Sequence, residues 1–147
     1  LQTPGVRRRE AAARERAREL LKFVSLDGRE GMLAKNLPYG DQRRLEIARA
    51  LATEPQLILL DEPAAGMNEA ESDDLLANIR RIRTELGCSI VVVDHDLRLI
   101  MKLCDRIQVL DQGRTIAVGR PREIAEDSAV IEAYMGSEAA ELQGAHG

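Results

Sequence analysis

Two short stretches of this 147-residue chain, residues 57–60 and 90–93, consist wholly of Ile, Leu and Val. Apolar runs of that length are typical of parallel strands that are covered on both faces of a sheet. The pattern therefore predicts two buried strands, one reaching Asp61 and one spanning Ser89 to Val93. Acidic residues follow each strand at once, so both strands are expected to deliver charged side chains to the carboxyl edge of the sheet.

Apolar residues spaced three and four positions apart predict three longer helices. The first covers about residues 7–24, the second starts just after Gly40, and the third runs from Asn68 to a left-handed cap at Gly87. Asn68 and Glu71 have the spacing of a capping box. The expected buried faces comprise Ala13, Ala17, Leu20, Leu21 and Val24 in the first helix, Leu45, Ala48 and Leu51 in the second, and Leu75, Leu76, Ile79, Ile82 and Leu86 in the third.

The last third of the chain alternates helical and strand patterns. It predicts a helix near residues 97–103 and a hairpin of residues 106–110 and 114–118, with Gly113 in the turn. Pro121 begins a short helix, Ser128 is expected to cap another that runs to Tyr134, and residues 136–147 form a mobile tail. Together the elements indicate a mostly parallel α/β fold.

Composition narrows the function classes. The net charge is −4 and aromatic residues make up only 2% of the chain, which argues against nucleic-acid binding by base stacking. No apolar run approaches the roughly 18 residues that a membrane span needs. Cys88 and Cys104 lack metal-site spacing and are expected to be reduced, buried thiols. The arginines of the first helix alternate with glutamates, which favours a solvated face with short-range ion pairs over an anion-binding patch.

The acids after the first strand are the strongest candidates for chemistry. Ligands of open α/β sheets bind at the carboxyl edge, where Asp61 can hold a hydrated Mg²⁺ and Glu62 can orient or deprotonate a water. An ordinary Asp-Glu-Pro turn is the competing interpretation. Gly40 is followed by a predicted helix start, whose free N–H groups and positive dipole end can bind a phosphate. His95 can reach a nucleotide phosphate if the two strand ends are neighbours.

The order of these motifs resembles the ATP-binding subunit of ABC transporters, over residues 20–136. Residues 37–51, 61–68, 103–107 and 130–136 are similar, more narrowly, to the branched-chain amino acid uptake branch. The resemblance implies the carboxyl-terminal part of a P-loop NTPase (ABC ATPase) three-layer domain with part of its helical subdomain. Residues 1–55 would form the helical part with the signature motif, residues 56–136 the α/β core, and residues 137–147 the tail.

The resemblance also implies roles for single residues. Asp61 matches the acid that holds Mg²⁺ through water, Glu62 the general base for ATP hydrolysis, and His95 the switch histidine on the γ-phosphate. Asn68 lies in the loop (D-loop) that crosses the interface of a head-to-tail ATPase dimer. The signature residues that would contact ATP held by the opposite subunit are Leu37, Pro38, Tyr39, Gly40 and Asp41.

The chain departs from the commonest family pattern at several positions. Pro38 replaces a serine, Tyr39 a glycine, Asp41 a glutamine and Asn68 an aspartate. Tyr39 and Asp41 look like the amino-acid-uptake branch, which also tolerates the asparagine. The phosphate-binding Walker A loop is missing, because none of the three lysines lies in a G-x-x-x-x-G-K-[ST] motif. We therefore expect the carboxyl-terminal part of a longer subunit, which alone neither binds ATP tightly nor hydrolyses it.

The implied partners are a second ATPase subunit, membrane permease subunits and, indirectly, a solute-binding protein, at the cytoplasmic face of the membrane. Three alternatives remain open at this point. One is an ATPase for lipopolysaccharide export, and another is a DNA-repair or chromosome-maintenance ATPase, although the chain has no heptad run or cysteine pair. The third is a catalytically silent binding module. The transported solute cannot be assigned from these residues.

Overall fold

A computed structural model describes residues 3–134, and the chain divides into two compact units, Leu1–Val93 and Asp94–Gly147. The first unit contains α1 (Pro4–Phe23), a 3₁₀ turn (Ala34–Asn36), α2 (Tyr39–Leu51), β1 (Leu57–Asp61), α3 (Glu69–Leu86) and β2 (Ser89–Val93). The second contains α4 (Leu97–Leu103), β3 (Ile107–Asp111), β4 (Arg114–Gly119), α5 (Pro121–Ala125) and a helix over residues 128–134, here α6. The predicted tail at residues 136–147 lies outside the described residues.

The two predicted strands form a parallel pair, and both have the predicted bounds. Leu57 pairs with Ser89 and Asp61 with Val93, so the two strands end side by side. A parallel pair needs a crossover connection, which α3 provides.

The prediction that these strands are buried on both faces is wrong. Ile58 is buried, but on the opposite face Leu59 is 72% exposed and Val93 62% exposed, and Leu57 and Val91 are also exposed. The side chains of a strand alternate between the two faces of a sheet. Within the part of the chain that the structure describes, only the face with Ile58 is covered.

Helix α3 supplies more buried side chains than any other helix or strand of the first unit. Leu75 and Ile82 are completely buried, and Leu76 and Ile79 nearly so, as predicted. Leu86 was predicted to be buried but is 42% exposed. An 18-residue helix is about 27 Å long, whereas a five-residue strand spans about 17 Å, so the strands are too short to cover the whole helix.

The ends of α3 are closed as the sequence predicts. The Asn68 side chain accepts a hydrogen bond from the Glu71 N–H, and the Glu71 carboxylate accepts one from the Asn68 N–H, both 3.0 Å long. Gly87 takes the left-handed conformation that ends the helix, with φ 65°. Local sequence is sufficient to specify both caps.

Helix α1 begins earlier than predicted, at Pro4, and buries less than predicted. Its last turn packs through Leu20, and Val24 just beyond it is also buried, whereas Ala13 and Ala17 are exposed. Only the carboxyl end of the helix meets other described residues closely enough to exclude water. The expected ion pairs are present along the exposed turns: Arg14–Glu10 (2.7 Å), Arg16–Glu19 (3.0 Å) and Arg18–Glu15 (3.1 Å).

The second unit contains the predicted hairpin and helices. Strands β3 and β4 are antiparallel and joined by Gln112 and Gly113, which both have positive φ, 46° and 77°. Two such residues in succession form the type I′ turn that suits the twist of a hairpin. Asp127 caps α6 by accepting hydrogen bonds from the N–H groups of Ala129 (2.9 Å) and Val130 (3.2 Å), so the prediction of a Ser128 cap is wrong.

The cysteines are not bonded to each other. Cys88 is buried, as predicted, and Cys104 is half-buried. Burial, and to a smaller extent the nearby Asp105, raises the pKa of the Cys104 thiol. A thiol with a raised pKa is a poor nucleophile at neutral pH, which fits a packing role.

Candidate functional site

Asp61 and Glu62 lie at the carboxyl end of β1, and both are exposed. The Glu62 N–H donates a 2.8 Å hydrogen bond to the Val93 carbonyl, which extends the strand pairing by one step. The Glu62 carbonyl then accepts a hydrogen bond from the Ala65 N–H (3.1 Å), and Pro63 is buried beneath the turn. The two carboxylates are therefore held on a short, well-anchored turn at the sheet edge.

Glu62 also has a left-handed backbone, with φ 44°. That conformation is unfavourable by about 1–2 kcal/mol for a residue with a Cβ. Such residues cluster at functional sites, where the surrounding contacts fix a reactive side chain in place. Glu54, ahead of β1, has a similar backbone (φ 50°), so the conformation supports a functional role for Glu62 only together with its place at the sheet edge.

The segment before α2 differs in one respect from its prediction. Helix α2 begins at Tyr39, so Gly40 lies within its first turn and not ahead of it. Leu37 is buried, and its carbonyl accepts a hydrogen bond from the Gln42 side-chain amide (2.8 Å). The N–H groups of a first helical turn have no carbonyl ahead of them, and together with the helix dipole they attract anions.

Charge at this helix start is neutralised by arginines. The Asp41 carboxylate lies 3.7 Å from Arg29 and 3.8 Å from Arg44. Arg44, whose side chain is only 13% exposed, also reaches Asp74 on α3 at 3.4 Å. Asp41 by itself would repel an anion bound at the start of α2, and the two guanidinium groups offset that repulsion.

The start of α2 and the loop after β1 are in contact. Gly66, at φ 75°, lies against the Tyr39 ring, and a Cβ added there would be 3.3 Å from Tyr39 Cε1. A Cβ added at Gly40 would be 3.6 Å from the Glu71 carboxylate, which caps Asn68. The structure thus brings together Tyr39 and Gly40 of the signature with the loop that carries Asn68. Sequence reasoning left the packing role of Tyr39 open. It predicted Glu71 as the capping partner of Asn68 but missed its approach to Gly40, and it missed the ion pairs of Arg44.

His95 belongs to the second unit, in the turn that precedes α4. Its side chain is 81% exposed, with Nδ1 3.8 Å from the Asp94 carboxylate, which is itself only 5% exposed. Asp96 caps α4 by accepting hydrogen bonds from the N–H groups of Arg98 (2.9 Å) and Leu99 (3.3 Å). The histidine is therefore presented to solvent between two anchored carboxylates.

Comparisons with known proteins agree with these observations. Residues 2–65 match the family model described as ABC transporter, and residues 114–140 match the model described as branched-chain amino acid ATP-binding cassette transporter. The chain belongs to the ABC transporter ATP-binding family. The resemblance drawn from the order of the sequence motifs is thereby confirmed.

Curated relatives in the same ABC family cover most of this chain. It is 44% identical to the high-affinity branched-chain amino acid transport ATP-binding protein BraF of Pseudomonas aeruginosa, over 91% of this chain and 52% of that protein. It is 43% identical to LivG of Escherichia coli K12, which has the same description, over 92% of this chain and 53% of that protein. The lipopolysaccharide export system ATP-binding protein LptB of Escherichia coli K12 is 36% identical, over 84% of this chain and 51% of that protein. The chain spans about half the length of the curated relatives it matches.

A solved ABC structure shares the fold. The ADP conformation of an ATP-binding cassette of an ABC transporter superposes with a TM-score of 0.77 at 29% identity, covering 85% of this chain and 50% of that one. The predicted fold class, part of an ABC ATPase α/β domain, is confirmed. Among the described residues, no helix is both long enough and apolar enough to cross a bilayer.

Proposed function

We propose that this ABC chain is part of an ATP-hydrolysing subunit of an importer for branched-chain amino acids or related small amides. The observation that carries the proposal is the match of residues 114–140 to the branched-chain amino acid model. The 44% identity to BraF, against 36% to LptB, supports import over lipopolysaccharide export.

In this proposal Asp61 and Glu62 carry the chemistry at one ATP site. Among the described residues, no group of three or more His, Cys, Asp or Glu side chains could hold a metal ion. Mg²⁺ in nucleotide sites is usually held by one or two carboxylates, waters and the substrate phosphates. Asp61 would hold the hydrated ion, which neutralises developing phosphate charge when bound. Glu62 would accept a proton from the attacking water.

The signature residues would act on ATP held by a second subunit. Residues from Leu37 to Asp41 would contact that nucleotide, with the N–H groups of the first turn of α2 facing the γ-phosphate. Asn68 would lie in the loop that crosses the dimer interface, and His95 would contact the γ-phosphate. The packing of Tyr39 on Gly66 supports this arrangement, because it would let the signature and the D-loop approach the second subunit as one surface.

The proposed assembly places the chain at the cytoplasmic face of a membrane. The intact subunit would pair with a second ABC ATPase and bind two permease chains, which receive solute from a binding protein. BraF and LivG are both named as ATP-binding proteins of high-affinity branched-chain amino acid transport, which supports a role as one component of a transporter.

Deletion of the encoding gene is expected to abolish most high-affinity uptake of labelled leucine, because import stalls without ATP hydrolysis. Uptake of isoleucine, valine, urea and short amides should be measured in the same cells. Restoring the gene should restore uptake, while a copy carrying Glu62→Gln should not. Unchanged uptake of every solute, together with a defect in outer-membrane lipid export, would assign the protein to the export branch instead.

A further inference from the structure

The phenol of Tyr134 bridges the turn that carries His95. Its hydroxyl donates a hydrogen bond to the His95 carbonyl (2.8 Å) and accepts one from the Leu97 N–H (3.1 Å). One side chain thus binds the backbone on both sides of Asp96. Tyr134 lies 39 positions after His95 and 37 positions after Leu97 in the sequence. Both hydrogen bonds lie within the second unit.

The remaining anchors of this turn are local. The Asp94 carboxylate accepts a hydrogen bond from the Asp96 N–H (2.9 Å), and Asp96 caps α4. These contacts bend the chain around His95, but they connect only residues within a few positions of it. Tyr134 adds a connection to a separate helix.

That helix is itself firmly placed. Its first turn is capped by Asp127, and Val130 is only 2% exposed. Tyr134 lies one helical turn after Val130, so its ring extends from an element whose position in the second unit is fixed by packing. A hydroxyl on such an element can hold a flexible turn in one conformation.

We propose that Tyr134 is a positioning residue that sets the backbone at His95 and thereby the place from which the imidazole acts. The proposal rests on the role given to His95 above. Loss of the hydroxyl would release the His95 carbonyl and the Leu97 N–H to water, and the turn would occupy several conformations. ATP would still bind, but the imidazole would meet the γ-phosphate less often.

The contact is tested by amide hydrogen exchange of the 147-residue chain. In Tyr134→Phe, exchange of the Leu97 N–H should rise about tenfold, because its acceptor is lost while the ring remains. Tyr39→Phe removes the only other tyrosine hydroxyl of the chain and should leave Leu97 unchanged. Equal exchange in wild type and Tyr134→Phe would overturn the proposal.

The functional consequence is tested in a subunit that also carries the amino-terminal half of the ATP-binding domain. Tyr134→Phe should lower kcat about tenfold. The KM for ATP should stay nearly unchanged, because residues other than His95 also bind ATP. In a His95→Ala background, Tyr134→Phe should cause no further loss. Thr115→Val, which removes a hairpin hydroxyl bonded to Gln108 at 2.7 Å, is the control and should keep wild-type turnover.

The two proposals fail in different ways. Independent, multiplying losses from Tyr134→Phe and His95→Ala would show that Tyr134 acts elsewhere and would overturn the inference. Wild-type turnover by His95→Ala would instead remove the role of His95 from the proposed function. Hydrogen exchange of the Leu97 N–H would then be the remaining test of whether Tyr134 positions this turn.

Discussion

Replacing Glu62 with Gln in a subunit carrying the complete ATP-binding domain is expected to slow ATP hydrolysis by about 10²–10⁴-fold. The amide preserves size and hydrogen bonding but cannot accept a proton from the attacking water. ATP should therefore bind and hold the dimer closed without turning over. Single-turnover kinetics and nucleotide retention on the purified subunit measure the two effects separately.

Glu54→Gln provides a matched control. Glu54 is exposed and has a left-handed backbone, φ 50°, as Glu62 does at φ 44°, but it lies at the opposite end of β1. The control should hydrolyse ATP at the wild-type rate. If Glu62→Gln and Glu54→Gln were equally active, the assignment of the general base would be wrong.

Replacing Leu75 with Ala is expected to lower the free energy of unfolding by about 2–5 kcal/mol. Leu75 is 0% exposed on α3, so truncation leaves a cavity in addition to the loss of buried apolar area. Losses of this size approach the total stability of a small domain. Urea unfolding followed by circular dichroism measures the change.

Leu86→Ala removes the same atoms from the same helix at a site that is 42% exposed. The expected loss is about 1 kcal/mol or less, because no closed cavity forms and alanine favours the helix. Similar losses from the two variants would mean that α3 does not pack as described. The comparison therefore tests the burial pattern that periodicity alone predicted incorrectly at Leu86.

Features specified by neighbouring residues were predictable from the sequence. The capping box of Asn68 and Glu71, the left-handed Gly87 and the turn at Gly113 each depend on a few adjacent positions. The strands were predicted with correct bounds for the same reason, since short runs of apolar residues between polar ones define them. Asp61 and Glu62 could be singled out because they follow such a strand at the edge where open α/β sheets bind ligands, and their role stays a prediction.

Features that depend on distant residues were not predictable. Periodicity shows that Ala13, Ala17 and Leu59 are apolar, but whether another layer covers them depends on the rest of the fold. The ion pair of Arg44 with Asp74 and the hydrogen bonds of Tyr134 connect positions at least 30 residues apart. No local pattern marks these pairs, because neither partner is distinguished by the residues next to it in the sequence.

The uncovered face of β1 and β2 has a consequence for handling the chain in solution. Leu57, Leu59, Val91 and Val93 form an exposed apolar surface on two paired strands. A surface of this kind recruits identical copies, through face stacking or by strand addition at an open edge. Overproduced by itself, the polypeptide is expected to aggregate in a concentration-dependent manner, and a lysine at position 59 is the simplest change to keep it dispersed.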